Sequence, residues 1–184
     1  MRVCSKVAKP DEMGTAELKK IMRYLNATSS VGLPIHKGGE LVAFVDSDWA
    51  GDVTDRRSVT GYVIGYSSDE GRFSPIIWRS VKQTCVATSS SEAKYVAMHD
   101  VCKEVAYLRN ILKELGWLAG GPTVVYGDNA SAIAIGNDTC TKAKHKREGN
   151  APPGLLGSNA SKGGSRVFLV WISEGGIRNL CSLI

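Results

Sequence analysis

The sequence has no apolar run approaching bilayer length, and Met1-Arg2-Val3-Cys4-Ser5-Lys6 lacks the hydrophobic stretch of a signal peptide. The expectation is a protein that stays inside the cell, cytoplasmic or nuclear, with no membrane partner. Sequons at Asn26, Asn129, Asn137 and Asn159 carry little weight without a secretory route. There is no CxxC pair. Cys4, Cys85, Cys102, Cys140 and Cys181 are scattered and odd in number, which argues against a zinc site or a disulfide frame and for reduced thiols. Neither a GxSxG elbow nor a Walker sequence occurs, and Ser80, Ser90 and His99 assemble into no nucleophile motif. Net charge is lacking too, over most of the length. Residues 1–138 hold 16 Lys+Arg and 16 Asp+Glu, so the excess of +5 belongs to residues 139–184, with 7 basic residues against Glu148 and Glu174. Basicity is therefore poor evidence that the folded part binds nucleic acid.

What is present is the composition of an ordinary globular domain, 43% hydrophobic and 22% charged over 184 residues. Residues 15–26 read as a helix with Leu18, Ile21, Met22 and Leu25 on one stripe and Lys19, Lys20 and Arg23 solvated. Strand-like runs follow at 41–46, 60–66 and 74–79, separated by Gly51-Asp52 and Ser67-Ser68-Asp69-Glu70-Gly71 as turn signals, the pattern of an antiparallel meander. The segment 90–115 predicts a long amphipathic helix from Val101, Val105, Leu108, Leu112 and Leu115, with Gly116 at its C-terminal cap. A fourth strand at 123–127 and a short helix at 129–135 complete the order βββαβα. This is an α/β mixed sheet in which the last strand joins through a helical crossover and runs parallel to the first. From Lys142 the periodicity stops; 142–165 reads as a mobile Gly/Pro/Ser-rich linker, and only 167–172 recovers strand character.

Three acids stand where regular elements start or stop. Asp46 closes the run Leu41-Val42-Ala43-Phe44-Val45, and burial of Phe44 and Val45 would leave it near the core, in need of a partner or cation. Glu92 ends Ser89-Ser90-Ser91-Glu92, which also fits a capping box in which Glu92 bonds back to the Ser89 N–H. Asp128 precedes Asn129-Ala130-Ser131 and also fits a simple helix N-cap. Singly, capping explains Glu92 and Asp128; jointly, convergence at one sheet end as an oxygen-rich site for divalent ions explains all three. Asp48, Asp52 and Asp55 lack EF-hand spacing and its bidentate glutamate, and read as loop acids partnering Arg56 and Arg57. His145 lies in a basic run and reads as a solvated residue.

The strings Asp46-Ser47-Asp48-Trp49-Ala50-Gly51-Asp52 and Asp55-Arg56-Arg57-Ser58-Val59-Thr60-Gly61-Tyr62 resemble the start of the ribonuclease H domain of Ty1/copia-type retrotransposon polyproteins. Ile77-Trp78-Arg79-Ser80-Val81-Lys82-Gln83, Ser89-Ser90-Ser91-Glu92-Ala93-Lys94-Tyr95 and Tyr126-Gly127-Asp128-Asn129 continue the resemblance in order. It covers roughly residues 4–145. It divides the chain into a connection segment following the reverse transcriptase (1–38), a ribonuclease H-like domain (39–141) and an atypical basic tail (142–184). It implies a five-stranded mixed sheet with flanking helices, and hydrolysis of RNA in RNA–DNA hybrids by two Mg²⁺ ions, with Mn²⁺ as a substitute. The catalytic and metal-binding residues it implies are Asp46, Glu92 and Asp128, with Asp46 bridging the ions. Its implied partners are the hybrid and the reverse transcriptase portion of the polyprotein.

One departure is specific. The family continues into a Lys-His-Ile-Asp-Ile motif carrying its fourth acid, whereas Lys144-His145 runs into Lys146-Arg147-Glu148-Gly149 and no aspartate follows Asp138. A frameshift or spliced junction near His145 accounts for losing motif and periodicity together, and leaves the last helix degenerate. The expectation is a ribonuclease H-like domain with impaired hydrolysis; the alternative is a non-catalytic nucleic-acid-binding remnant or a pseudogene product without function.

Overall fold

A computed structural model describes residues 9, 11–36, 38–68, 70–117, 122–136 and 166–170. The predicted 142–165 linker and the break at His145 lie outside them, as do Cys4, Cys140 and Cys181. The chain divides into two compact units, Met1–Ile35 and His36–Ile184.

The first unit holds helix α1, Glu12–Ala27. Asp11 caps it, its Oδ1 accepting from the Gly14 N–H at 2.6 Å, and Thr28 closes it by donating its N–H and hydroxyl to the Tyr24 carbonyl. The expected stripe is present as a helix face, but Leu18, Ile21, Met22 and Leu25 remain exposed and Gly14 is the buried residue of this helix. The helical period alone does not specify what a stripe packs against.

The second unit is built on five strands: β1 (Glu40–Asp48), β2 (Val59–Ser67), β3 (Phe73–Lys82), β4 (Thr123–Gly127) and β5 (Arg166–Val170). They form one mixed sheet in the order β3-β2-β1-β4-β5. The meander expected from the turn signals is there: β1 pairs antiparallel with β2, and β2 with β3. The pairing slips at Ile64/Gly65, where a Cβ on Gly65 would collide with the Ser74 carbonyl, so the strand needs glycine to pass its neighbour. Helix α2, Ser90–Glu114, carries the chain across to β4, which lies parallel to β1 as expected. β5 pairs antiparallel with β4, and residues 130–136 are helical.

One face of the sheet makes the core. Ala43, Ile64 and Val125 are fully buried against Val101, Val105 and neighbouring residues of α2, and Ala132 and Ile133 join the same cluster. The other face follows from strand alternation and is open: Phe44 and Trp78 are exposed. Phe44 was expected inside; its position beside inward-pointing Ala43 and Val45 puts it outside.

Candidate metal centre at the ends of β1 and β4

Parallel pairing aligns Phe44 with Tyr126. Asp46 and Asp128 each lie two residues further along their strands, so both carboxylates arrive at the same end of the sheet. Both point outward, with side chains 72% and 67% exposed. The expectation of an Asp46 close to the core is thereby corrected: it shares the open face with Phe44.

Between them stands Lys94, in the second turn of α2. Its Nζ lies 3.0 Å from Asp46 Oδ1 and also donates to Asp128 Oδ1. Its side chain is only 19% exposed. Burial works to lower the Lys94 pKa, but bonds to Asp128 and Asp46 outweigh it and raise the ammonium above its ordinary range. Asn129 ties the same corner to the start of α2, its Nδ2 donating to Ser91 Oγ at 3.4 Å, while its Oδ1 accepts from the Ala132 N–H at 2.9 Å. The helix N-cap expected of Asp128 is therefore Asn129's role.

Glu92 is committed elsewhere. Ser89 is the N-cap of α2, accepting the Glu92 N–H at 3.2 Å. Glu92 Oε2 accepts the Thr88 N–H at 2.7 Å and the Thr88 hydroxyl at 2.6 Å. The capping box is real but shifted: the glutamate reaches the residue before the N-cap, not Ser89 itself. The Thr88 hydroxyl, then its N–H, lowers the Glu92 pKa.

As arranged, this chemistry does not fit a cradle for two divalent ions. Asp46 and Asp128 are joined by an ammonium, Glu92 is spent on a cap, and no three His, Cys, Asp or Glu side chains converge as a metal site among the described residues. Sequence reasoning missed Lys94. Positions 90, 91, 97 and 98 hold no acid, so this lysine has no partner of opposite sign on its own helix, which was the available signal.

Beside the acids opens a groove of about 640 Å³. Phe44 and Tyr126 stack in it with ring centroids 5.0 Å apart, and Trp78 and Arg79 line its β3 side. The loop acids behave otherwise than expected. Asp52 and Asp55 grip Lys82 at 2.5 and 2.9 Å, and Asp48 accepts the Val59 N–H; Asp55 reaches Arg57 only at 4.0 Å.

No family model matches the chain. It is 38% identical over 128 residues to a retrovirus-related Pol polyprotein from transposon RE1 of Arabidopsis thaliana, an alignment of 68% of this chain and 8% of that protein. It is 38% identical over 135 residues to the retrovirus-related Pol polyprotein from transposon TNT 1-94 of Nicotiana tabacum, covering 70% of this chain and 9% of the relative. The crystal structure of the prototype foamy virus protease–reverse transcriptase aligns with 65% of this chain and 15% of its own at TM-score 0.35 and 14% identity, too slight a likeness to build on. The chain spans less than a tenth of the length of these transposon polyproteins. Across the aligned residues it is a homologue of the Pol polyproteins of retrovirus-related, copia-type transposons.

Proposed function

We propose that residues 39–141 are the ribonuclease H-like domain of a retrotransposon polyprotein, directed at the RNA strand of RNA–DNA hybrids and retaining weak hydrolysis at most. The observation that carries this reading is the meeting of Asp46 and Asp128 at the end of adjacent parallel strands, with Glu92 at the start of the intervening helix. The aromatic groove beside them supports it. A shallow surface of Phe44, Tyr126 and Trp78 with one arginine suits the wide minor groove of an A-like duplex, where sugar faces and phosphates are read rather than base edges. Weakness follows from the missing fourth acid and from the present engagement of the other three. Because the arrangement does not fit the ions, no ion-dependent step is written for this chain.

The test is cleavage of a labelled RNA–DNA hybrid in Mg²⁺ or Mn²⁺ beside Asp46→Asn. Slow cleavage that falls at least tenfold in the variant is the expected result. Equal residual activity in both proteins sinks the enzyme reading. A second reading, a nucleic-acid-binding remnant, is favoured by the basic excess confined to residues 139–184. Steeply salt-dependent binding without cleavage is its signature. The reverse transcriptase portion of a polyprotein remains the proposed physical neighbour in either reading.

A further inference from the structure

We propose that the Lys94 ammonium is the resident cation of the Asp46–Asp128 pair, and that removing its charge opens this pair to a divalent ion. The inference rests on the reading above in taking these two aspartates as the cation-facing acids.

Three observations carry it. The lysine is delivered by the fold: its side chain is 19% exposed, while the carboxylates it joins are mostly open to solvent. The cation is therefore held from within, and the acids are not simply collecting one from solution. Next, no other group competes for either partner. Positions 90, 91, 97 and 98 of α2 are Ser, Ser, Ala and Met, and Glu92 is satisfied by Thr88. Third, the space enclosed among Asp46, Lys94, Asp128 and Asn129 is only about 10 Å³, barely one water. An ion held between the two carboxylates must displace the ammonium, because there is no room for both.

The charge argument gives the direction. Two carboxylates and one ammonium leave one net negative charge; without the ammonium there are two. Affinity of an oxygen site for a hard divalent ion rises with ligand charge and falls with each fixed positive charge nearby. Two solvent-exposed ion pairs must be broken in the natural protein before an ion takes their place, which weakens its binding by about tenfold.

Lys94→Met keeps the buried stem and removes the charge; Lys94→Arg keeps the charge. Mn²⁺ binding to the full chain is measured by calorimetry. The expected result is that Lys94→Met binds Mn²⁺ about tenfold more tightly than the natural protein, that Lys94→Arg does not, and that adding Asp46→Asn to Lys94→Met abolishes the gain. Equal affinity in the natural protein and Lys94→Met overturns the proposal, as does an equal gain in Lys94→Arg. If Lys94→Met fails to fold, Lys94→Gln is measured against the same outcomes. Hybrid cleavage by the same proteins separates the two ideas. A gain in Mn²⁺ affinity with no cleavage in any variant supports the resident cation and counts against the nuclease reading. Cleavage with unchanged Mn²⁺ affinity does the reverse.

Discussion

Asp52 and Asp55 share the ammonium of Lys82, and that small cluster shows which residue-scale facts a sequence hides. The acids were expected to partner Arg56 and Arg57, their near neighbours, but β2 and β3 pair so as to bring Lys82 opposite Val59 and within reach of both acids. Spacing along the chain says nothing about a partner supplied across a strand. The side-chain bond to Lys82, aided by the Thr54 N–H, lowers the Asp52 pKa to about 2, and the same lysine lowers that of Asp55. Because the folded pKa values are depressed, the contribution of this cluster is present above the ordinary carboxylate range and fades as pH falls toward about 2. Carbon-detected NMR of the carboxylates is expected to find Asp52 titrating far below a normal aspartate, and Lys82→Met to return it toward the ordinary value. An unmoved Asp52 in that variant means that Thr54 alone holds it. Lys94 escaped notice for the same reason as Lys82: both partners are remote in sequence.

Element ends were the most legible features. Ser89-Ser90-Ser91-Glu92 announced the start of α2, and Gly116 its stop. The end is a full Schellman arrangement, with Gly116 N–H to the Lys113 carbonyl at 3.0 Å and Trp117 N–H to Leu112 at 2.8 Å, around Gly116 at φ +69°. Leu115, assigned to the apolar stripe by its spacing, is exposed because the helix has already ended at Glu114. Which backbone N–H receives Glu92 was not legible, since a one-residue shift in the cap leaves the sequence pattern unchanged. Ser89→Ala removes the side-chain acceptor for the Glu92 N–H and is expected to cost about 1 kcal/mol in chemical denaturation. Gly116→Ala, forced into the left-handed region, is expected to cost about the same. A loss well under half that for both would mean α2 is held by its core face alone.

At the scale of the whole sheet, strand alternation sorted the residues into two faces, but the sequence did not say which face would be covered. Registers run Trp78–Val63–Phe44–Tyr126 across one face and Ile77–Ile64–Ala43–Val125 across the other. Both rows are apolar, so hydrophobicity does not choose between them; α2 does, because its buried stripe packs on the Ala43 row. The small Ala43 lets the helix approach, whereas the Phe44 row is filled with large rings that stack on one another, Phe44 against Tyr126 and edge-on against Phe73 at 5.4 Å. Substitutions on the two faces must then behave oppositely. Ile64→Ala empties a fully buried site and is expected to cost about 2–5 kcal/mol in denaturant unfolding. Trp78→Ser, at a residue 62% exposed, is expected to shift stability by no more than about 0.5 kcal/mol, while lowering the binding of an apolar-surface dye such as anilinonaphthalene sulfonate. A Trp78→Ser penalty as large as that of Ile64→Ala would show the aromatic face to be covered in solution, and would remove the groove on which recognition of a hybrid depends.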